Sequence, residues 1–171
     1  MAVHWLHRNF KFDFPAELFP SFCARLRGTP ARLEELTKDG THDRLAYRPH
    51  DTWSMQENAG HLLDLEALWR KRVDEFLART PVLTAADMSN RGTHEARHNE
   101  RSMAELLAAF RSARQLLMDR LDALPAEEFS RSALHPRLGV PMRLVDHLSF
   151  MAEHDDHHLA RIWEIRRQVR G

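Results

Sequence analysis

Apolar positions recur at intervals of three and four residues along most of the chain, the spacing of one helical face, and no stretch alternates with a period of two between turn signals. Four helices are predicted. The first covers about Pro15 to Asp39, with Leu18, Phe22, Leu26, Leu33 and Leu36 as its apolar marks and Gly40 as its end. Gly28, Thr29 and Pro30 interrupt it, so it either kinks there or restarts with Thr29 as cap and Pro30 at the first helical position. The second opens at Ser54, where Glu57 completes a capping box: the hydroxyl and the carboxylate each accept one orphan backbone amide. It carries Leu62, Leu65, Trp69, Val73 and Phe76 on one face and stops near Thr80 and Pro81. Ser102 and Glu105 open a third helix through Leu106, Phe110, Leu117 and Leu121, which finishes before Pro125. The fourth runs from about Pro141 to Arg170 through Leu144, Leu148, Met151, Leu159, Ile162, Ile165 and Val169. Residues 82–101 are polar and read as a long connection between helices 2 and 3, and residues 135–139 read as a turn. The expectation is an all-α four-helix bundle, one domain over residues 1–171.

Composition narrows the function. Lys+Arg 25 balance Asp+Glu 25, so a broad electrostatic pull on nucleic acid or an anionic membrane is not expected. No apolar run approaches a membrane span, and residues 1–14 lack an apolar signal core, which points to a cytoplasmic protein. Cys23 is the one cysteine, excluding an intrachain disulfide or a cysteine-rich zinc module; without an activating partner it reads as an inert buried thiol. Arg161, Arg166, Arg167 and Arg170 cluster in the last helix, where they complement its dipole and form surface pairs.

The 12 histidines change the picture. His154 and His158 stand four apart in the last helix, one turn and about 40° from each other, at the edge of the core-facing stripe. Such a pair presents two ligand nitrogens to one point, an arrangement suited to a metal. His61 lies about two turns into the second helix beside the face of Leu65 and Trp69. It follows Gly60, which costs helix stability and would let a helix or a ligand approach closely. One histidine from one helix and two from another can make a three-histidine site with open positions. His157 is turned about 60° from His154 and reads as a supporting or surface residue. His147 lies roughly 10 Å along the axis from His154 and reads as a packed histidine. His94 and His98, in the polar connection, read as solvated. Ligating histidines commonly donate their other nitrogen to an acceptor, and Glu57, Asp64, Asp155 and Asp156 are close enough in sequence to serve. Arg161 could hold a substrate carboxylate. Trp53, Trp69 and Trp163 read as core or pocket wall.

Trp53-Ser54-Met55-Gln56-Glu57 with His61-Leu62-Leu63-Asp64-Leu65-Glu66, and His154-Asp155-Asp156-His157-His158-Leu159 with Ile162, resemble signature helices of the DinB-like (YfiT-like) superfamily. Leu134-His135-Pro136 through Gly139-Val140-Pro141 resembles its lead-in to the last helix. The resemblance covers most of the chain beyond an N-terminal extension, residues 1–14. It implies a four-helix bundle binding a divalent metal ion (zinc, nickel or iron), the family's ligands falling on His61, His154 and His158. It also implies a metal-dependent transferase using a small-molecule thiol and an electrophile, or a hydrolase of amides or esters; the competing reading is a non-enzymatic metal-binding stress or partner-binding module. A homodimer is expected. Neither His61 nor His154 is directly followed by a glutamate as in HExxH hydrolases, and Asp155, which follows His154, points about 100° away from it, which favours thiol chemistry.

Overall fold

The computed structural model describes residues 5–169; Arg170 and the first four residues of the N-terminal extension lie outside the described residues. After short turns of 3-10 helix at Trp5–His7 and Ala16–Leu18, the elements are α1 (Phe19–Thr37), α2 (His42–Leu45), α3 (Met55–Leu77), α4 (Arg91–Glu95), α5 (Met103–Asp122), β1 (Ser132–His135), β2 (Val140–Arg143) and α6 (Leu144–Val169). The four long helices are those predicted. The two capping boxes sit where the sequence placed them, at Ser54 and Glu57 and at Ser102 and Glu105.

α1 packs on α5 and α6, and α3 packs on the same two helices. This places α1 diagonal to α3, so the chain crosses the end of the bundle between them. α1 neither breaks nor restarts at Pro30, which is buried inside the continuous helix. Proline lacks the amide that would bond the carbonyl four residues back. The side chain of Arg114 supplies the missing donor, its Nη1 bonding the Leu26 carbonyl at 2.8 Å. α1 ends at Thr37, with Asp39 at a φ of 63° turning the chain away. Arg166 reaches across from α6 and donates to the Glu35 and Leu36 carbonyls at 2.8 and 2.9 Å, closing the C-terminal end of α1.

Two apolar layers fill the bundle. One contains Trp69, Phe76, Leu117, Leu148 and Met151; the other contains Leu33, Leu62, Phe110, Leu159 and Ile162. Between them lies a buried polar pin. Arg114 on α5 bonds Glu66 of α3 at 2.6 Å and Asp155 of α6 at 2.6 Å, while Thr29 of α1 donates to Asp155 at 2.7 Å. All four long helices meet at this guanidinium. Removing either sign of charge would strand the other in the core, so the pin fixes which helices can be neighbours. Glu66 is pushed up to about 6, mainly by burial and further by Asp155, although Arg114 opposes the shift.

The residues expected to be only a turn form an antiparallel hairpin, with Ser132 opposite Arg143 and His135 opposite Val140. Gly139, φ 67°, closes it. Strands of four residues are too short to show alternation. The last helix therefore starts at Leu144, later than expected, because Pro141 and Met142 belong to β2. After α3 the chain pairs with the hairpin through Leu83 and Leu134, whose amide and carbonyl bond at 3.0 Å. Trp163 is not in the core or a pocket wall: it is 49% exposed, with the Arg167 guanidinium over its ring. Among the described residues no helix is long and apolar enough to cross a membrane.

Candidate metal centre

α3 and α6 lie side by side and bring His61, His154 and His158 together, one ring nitrogen from each lying within 4.8 Å of the others. All three are buried. His154 and His158 approach Nε2 to Nε2 at 3.2 Å, and the His61 ring centre is 4.8 Å from that of His158.

Two of the three tautomers follow from the neighbours. Asn58 donates its amide nitrogen to the Ser54 carbonyl at 2.7 Å, which aims its oxygen at His158 Nδ1, 2.8 Å away. That oxygen can only accept, so His158 carries its proton on Nδ1 and leaves the Nε2 lone pair free. Thr93 donates to Asp64 Oδ2 at 2.8 Å and must therefore accept from His61 Nδ1 at 2.9 Å. His61 too keeps Nε2 bare. Burial would raise Asp64, but bonds from His98 and Thr93 outweigh it and hold the carboxyl below its usual range. An ionised carboxylate thus orients the His61 imidazole through one hydroxyl, the arrangement common around metal-binding histidines. His154 lacks such a partner: its Nδ1 is buried with no acceptor among the described residues. Its ring meets Trp5 edge-on at 5.0 Å and Trp69 at 5.7 Å.

The imidazoles stay neutral. Burial pushes His61 down to about 4 against the pull of Asp64, and it holds His154 and His158 well below the ordinary histidine value, with His61 lowering both further and His154 adding to the shift of His158. Three neutral nitrogens converging on one point, two with lone pairs aimed there, are a donor set that fits zinc, nickel or iron.

His98 departs from expectation. It is 1% exposed, and its Nε2 bonds Asp64 Oδ2 at 2.9 Å. Asn90 and Arg97, both left-handed with φ near 50°, fold the segment back onto α3. Gln56 anchors it there by donating to the His98 carbonyl at 2.7 Å. Gly60 makes room: a Cβ there would stand 2.2 Å from the His98 ring. The close neighbour implied by that glycine is this imidazole. His94 is exposed and lines the cavity described below.

Of the acidic residues expected to support the ligands, only Asp64 does so. Glu57 closes its capping box and pairs with Arg48, Asp155 is taken by Arg114 and Thr29, and Asp156 pairs with Arg25 and Arg32 on α1. Backbone spacing cannot reveal such long-range partners. Asn58 and Thr93 carry no signal in one sequence and were missed. His147 is packed as expected, fully buried against Trp69. Cys23 is half-buried, less enclosed than expected, and its thiol is pushed up to about 11, chiefly by burial.

The three histidines form the floor of a cavity of about 900 Å³. Its walls include Trp53, Trp69, His157 and Arg161, the last paired with Glu164 at 2.9 Å. Part of the N-terminal extension also lines it. Trp5 and Leu6 stand in the wall, and Arg8 ties the segment down through Glu153.

Among solved structures, YfiT from Bacillus subtilis is similar, with a TM-score of 0.81 at 21% sequence identity over 95% of this chain and 93% of that one. It is described as "a probable metal-dependent hydrolase with an unusual four-helix bundle topology". That likeness carries the fold. None of the curated proteins compared matches. Residues 25–162, most of the chain and all three histidines, match the profile of the DinB superfamily, and the chain belongs to that superfamily.

Proposed function

We propose that the chain is a metal-dependent enzyme in which His61, His154 and His158 hold one divalent cation on the cavity floor, and that it transfers a small thiol to an electrophilic substrate. The convergence of three neutral imidazoles, two locked with Nε2 bare by Thr93 and Asn58, is the observation that carries the reading. With three nitrogen ligands and open positions, such a cation lowers the pKa of a thiol or a water that enters and so supplies a nucleophile at neutral pH.

The walls favour a thiol. Attack by water benefits from a carboxylate that takes its proton. Among the cavity-lining residues described, Asp87 is the sole acid, and its oxygens already accept from Ser89 and the Arg91 amide. In transfer, the thiol would give its proton to solvent, the sulfur would bond the electrophilic carbon, and the displaced group would leave with the bonding electron pair. Trp5, Trp53 and Trp69 set apolar wall around the histidines, which limits competing attack by water. The similar YfiT, described as a metal-dependent hydrolase, supports a second reading, hydrolysis of an amide or ester. There His157, 5.1 Å from His158 ring to ring, is the wall residue placed to take a proton.

Cobalt(II) substitution tests the choice. A thiolate-to-cobalt charge-transfer band on adding cysteine or glutathione, lost in His61→Ala, is expected. Absence of the band, together with ester or amide cleavage by the loaded protein, would overturn transfer in favour of hydrolysis.

A further inference from the structure

The end of the cavity beyond Trp69 holds two guanidinium groups that form no ion pair among the described residues. Arg72 of α3 is 1% exposed, Arg137 in the hairpin turn is half-buried, and both line the wall. Among the described residues neither pairs with a carboxylate. Arg72 Nε donates to the Thr84 carbonyl at 2.9 Å, and the nearby Glu75 offsets its charge only from a distance, because the Glu75 oxygens accept from the Thr84 amide and hydroxyl. Arg137 Nη2 is buried with no acceptor. Burying an unpaired cation is costly, and proteins normally avoid it.

His135, between them in the wall, makes the lack of an acceptor explicit. The Leu138 amide donates to His135 Nδ1 at 3.2 Å, so Nδ1 is the bare nitrogen and the neutral ring carries its proton on Nε2. Nε2 lies 3.4 Å from Arg72 Nη1, which can only donate. Two donors therefore face each other with nothing between them to accept. The ring does stay neutral: burial, then Arg72 and Arg137, push His135 down to about 4.

We infer that Arg72, Arg137 and the Nε2–H of His135 form an oxyanion subsite that takes a carboxylate or phosphate group of the substrate. An oxygen placed there would receive the facing donors and compensate both guanidiniums. Aromatic rings link the subsite to the metal centre. Trp69 lies 5.5 Å from the Arg72 guanidinium carbon and 5.7 Å from the His154 ring, and Trp5 lies 5.9 Å from that of Arg137 and 5.0 Å from His154. One small anionic molecule can thus be anchored at one end while its reacting end meets the three histidines. The assignment rests on reading this cavity as the substrate site.

Titrating the metal-free full-length protein with succinate, inorganic phosphate and the neutral isostere succinamide tests it, with the fluorescence of Trp5 and Trp69 as readout. At least one anion is expected to bind saturably and succinamide not to bind; the tighter anion tells a carboxylate site from a phosphoryl site. Arg137→Gln is expected to weaken binding at least tenfold while loading metal like the parent. A 15N spectrum of the parent supplies a check that needs no variant, with His135 protonated at Nε2 and its signal moving as anion is added. No saturation by either anion, equal affinity in Arg137→Gln, or His135 protonated at Nδ1 would overturn the subsite. Metal stoichiometry, measured alongside, reports on the metalloenzyme reading separately: anion binding in a protein that takes up no metal would sink that reading and leave the subsite standing.

Discussion

Replacing Gly60 with alanine adds one methyl group, yet it should disturb both the fold and the site. The new Cβ would stand 2.2, 2.3 and 2.5 Å from three atoms of the His98 ring. Carbon atoms rest about 3.5–4.0 Å apart, so the ring must retreat by more than ~1 Å. It has little room to do so, being 1% exposed and bonded to Asp64 at 2.9 Å. Overpacking costs about 1–3 kcal/mol. Losing a bond to an ionised group costs about 1.5–3 kcal/mol. Alanine returns about 1 kcal/mol of helix propensity. A net loss of roughly 2–5 kcal/mol should lower the melting temperature by roughly 5–15 °C in a chain of this size. Thermal and urea unfolding of the metal-free protein, followed by far-ultraviolet circular dichroism, measures it. Gly28→Ala is the control. Its Cβ meets nothing within 4 Å, and it should stabilise the protein by about 0.5–1 kcal/mol. A Gly60→Ala variant as stable as the parent would refute the claim that His98 is packed against α3 at this position.

Thr93→Val keeps the volume and removes the hydroxyl between Asp64 and His61; metal affinity should fall about 10–100-fold by competition with a chelator, and Thr93→Ser should restore it. Arg114→Met strands Glu66 and Asp155 in the core and should cost about 3–5 kcal/mol at pH 7 in urea unfolding. The deficit should shrink at pH 5, because Glu66, already raised to about 6 with Arg114 present, rises further without it and takes up a proton that relieves the stranded charge. The metal-free protein should lose stability as pH falls from 6.5 to 4, because the unfolded chain protonates His61 near 6.5 while the folded state resists until about 4. That group alone accounts for ~3 kcal/mol by pH 4, and a urea midpoint independent of pH across this window would contradict it.

The helices were legible because their signals are local. Ser54 with Glu57, and Ser102 with Glu105, mark starts within four residues, and the spacing of His154 and His158 places both on one face whatever surrounds them. His61 was reached through Gly60 and the family resemblance. What the sequence hid depends on distant contacts. His98 looked solvated because its segment is polar, yet two left-handed residues turn it into the core. Asp155 looked available to a ligand histidine, yet it is committed to Arg114 from another helix. Trp163 looked like core because tryptophan usually is, but it sits on the outer face of α6. Trp5 belonged to an extension outside the resemblance and proved to line the cavity.

The most direct measurement is the metal content of the untagged protein, by elemental analysis after loading with zinc, nickel or iron, beside His61→Ala and His158→Ala. The account requires one divalent ion per chain in the parent and none in either variant. A parent that takes up no metal, or a His61→Ala variant that keeps it, would contradict the claim that His61, His154 and His158 form a metal centre.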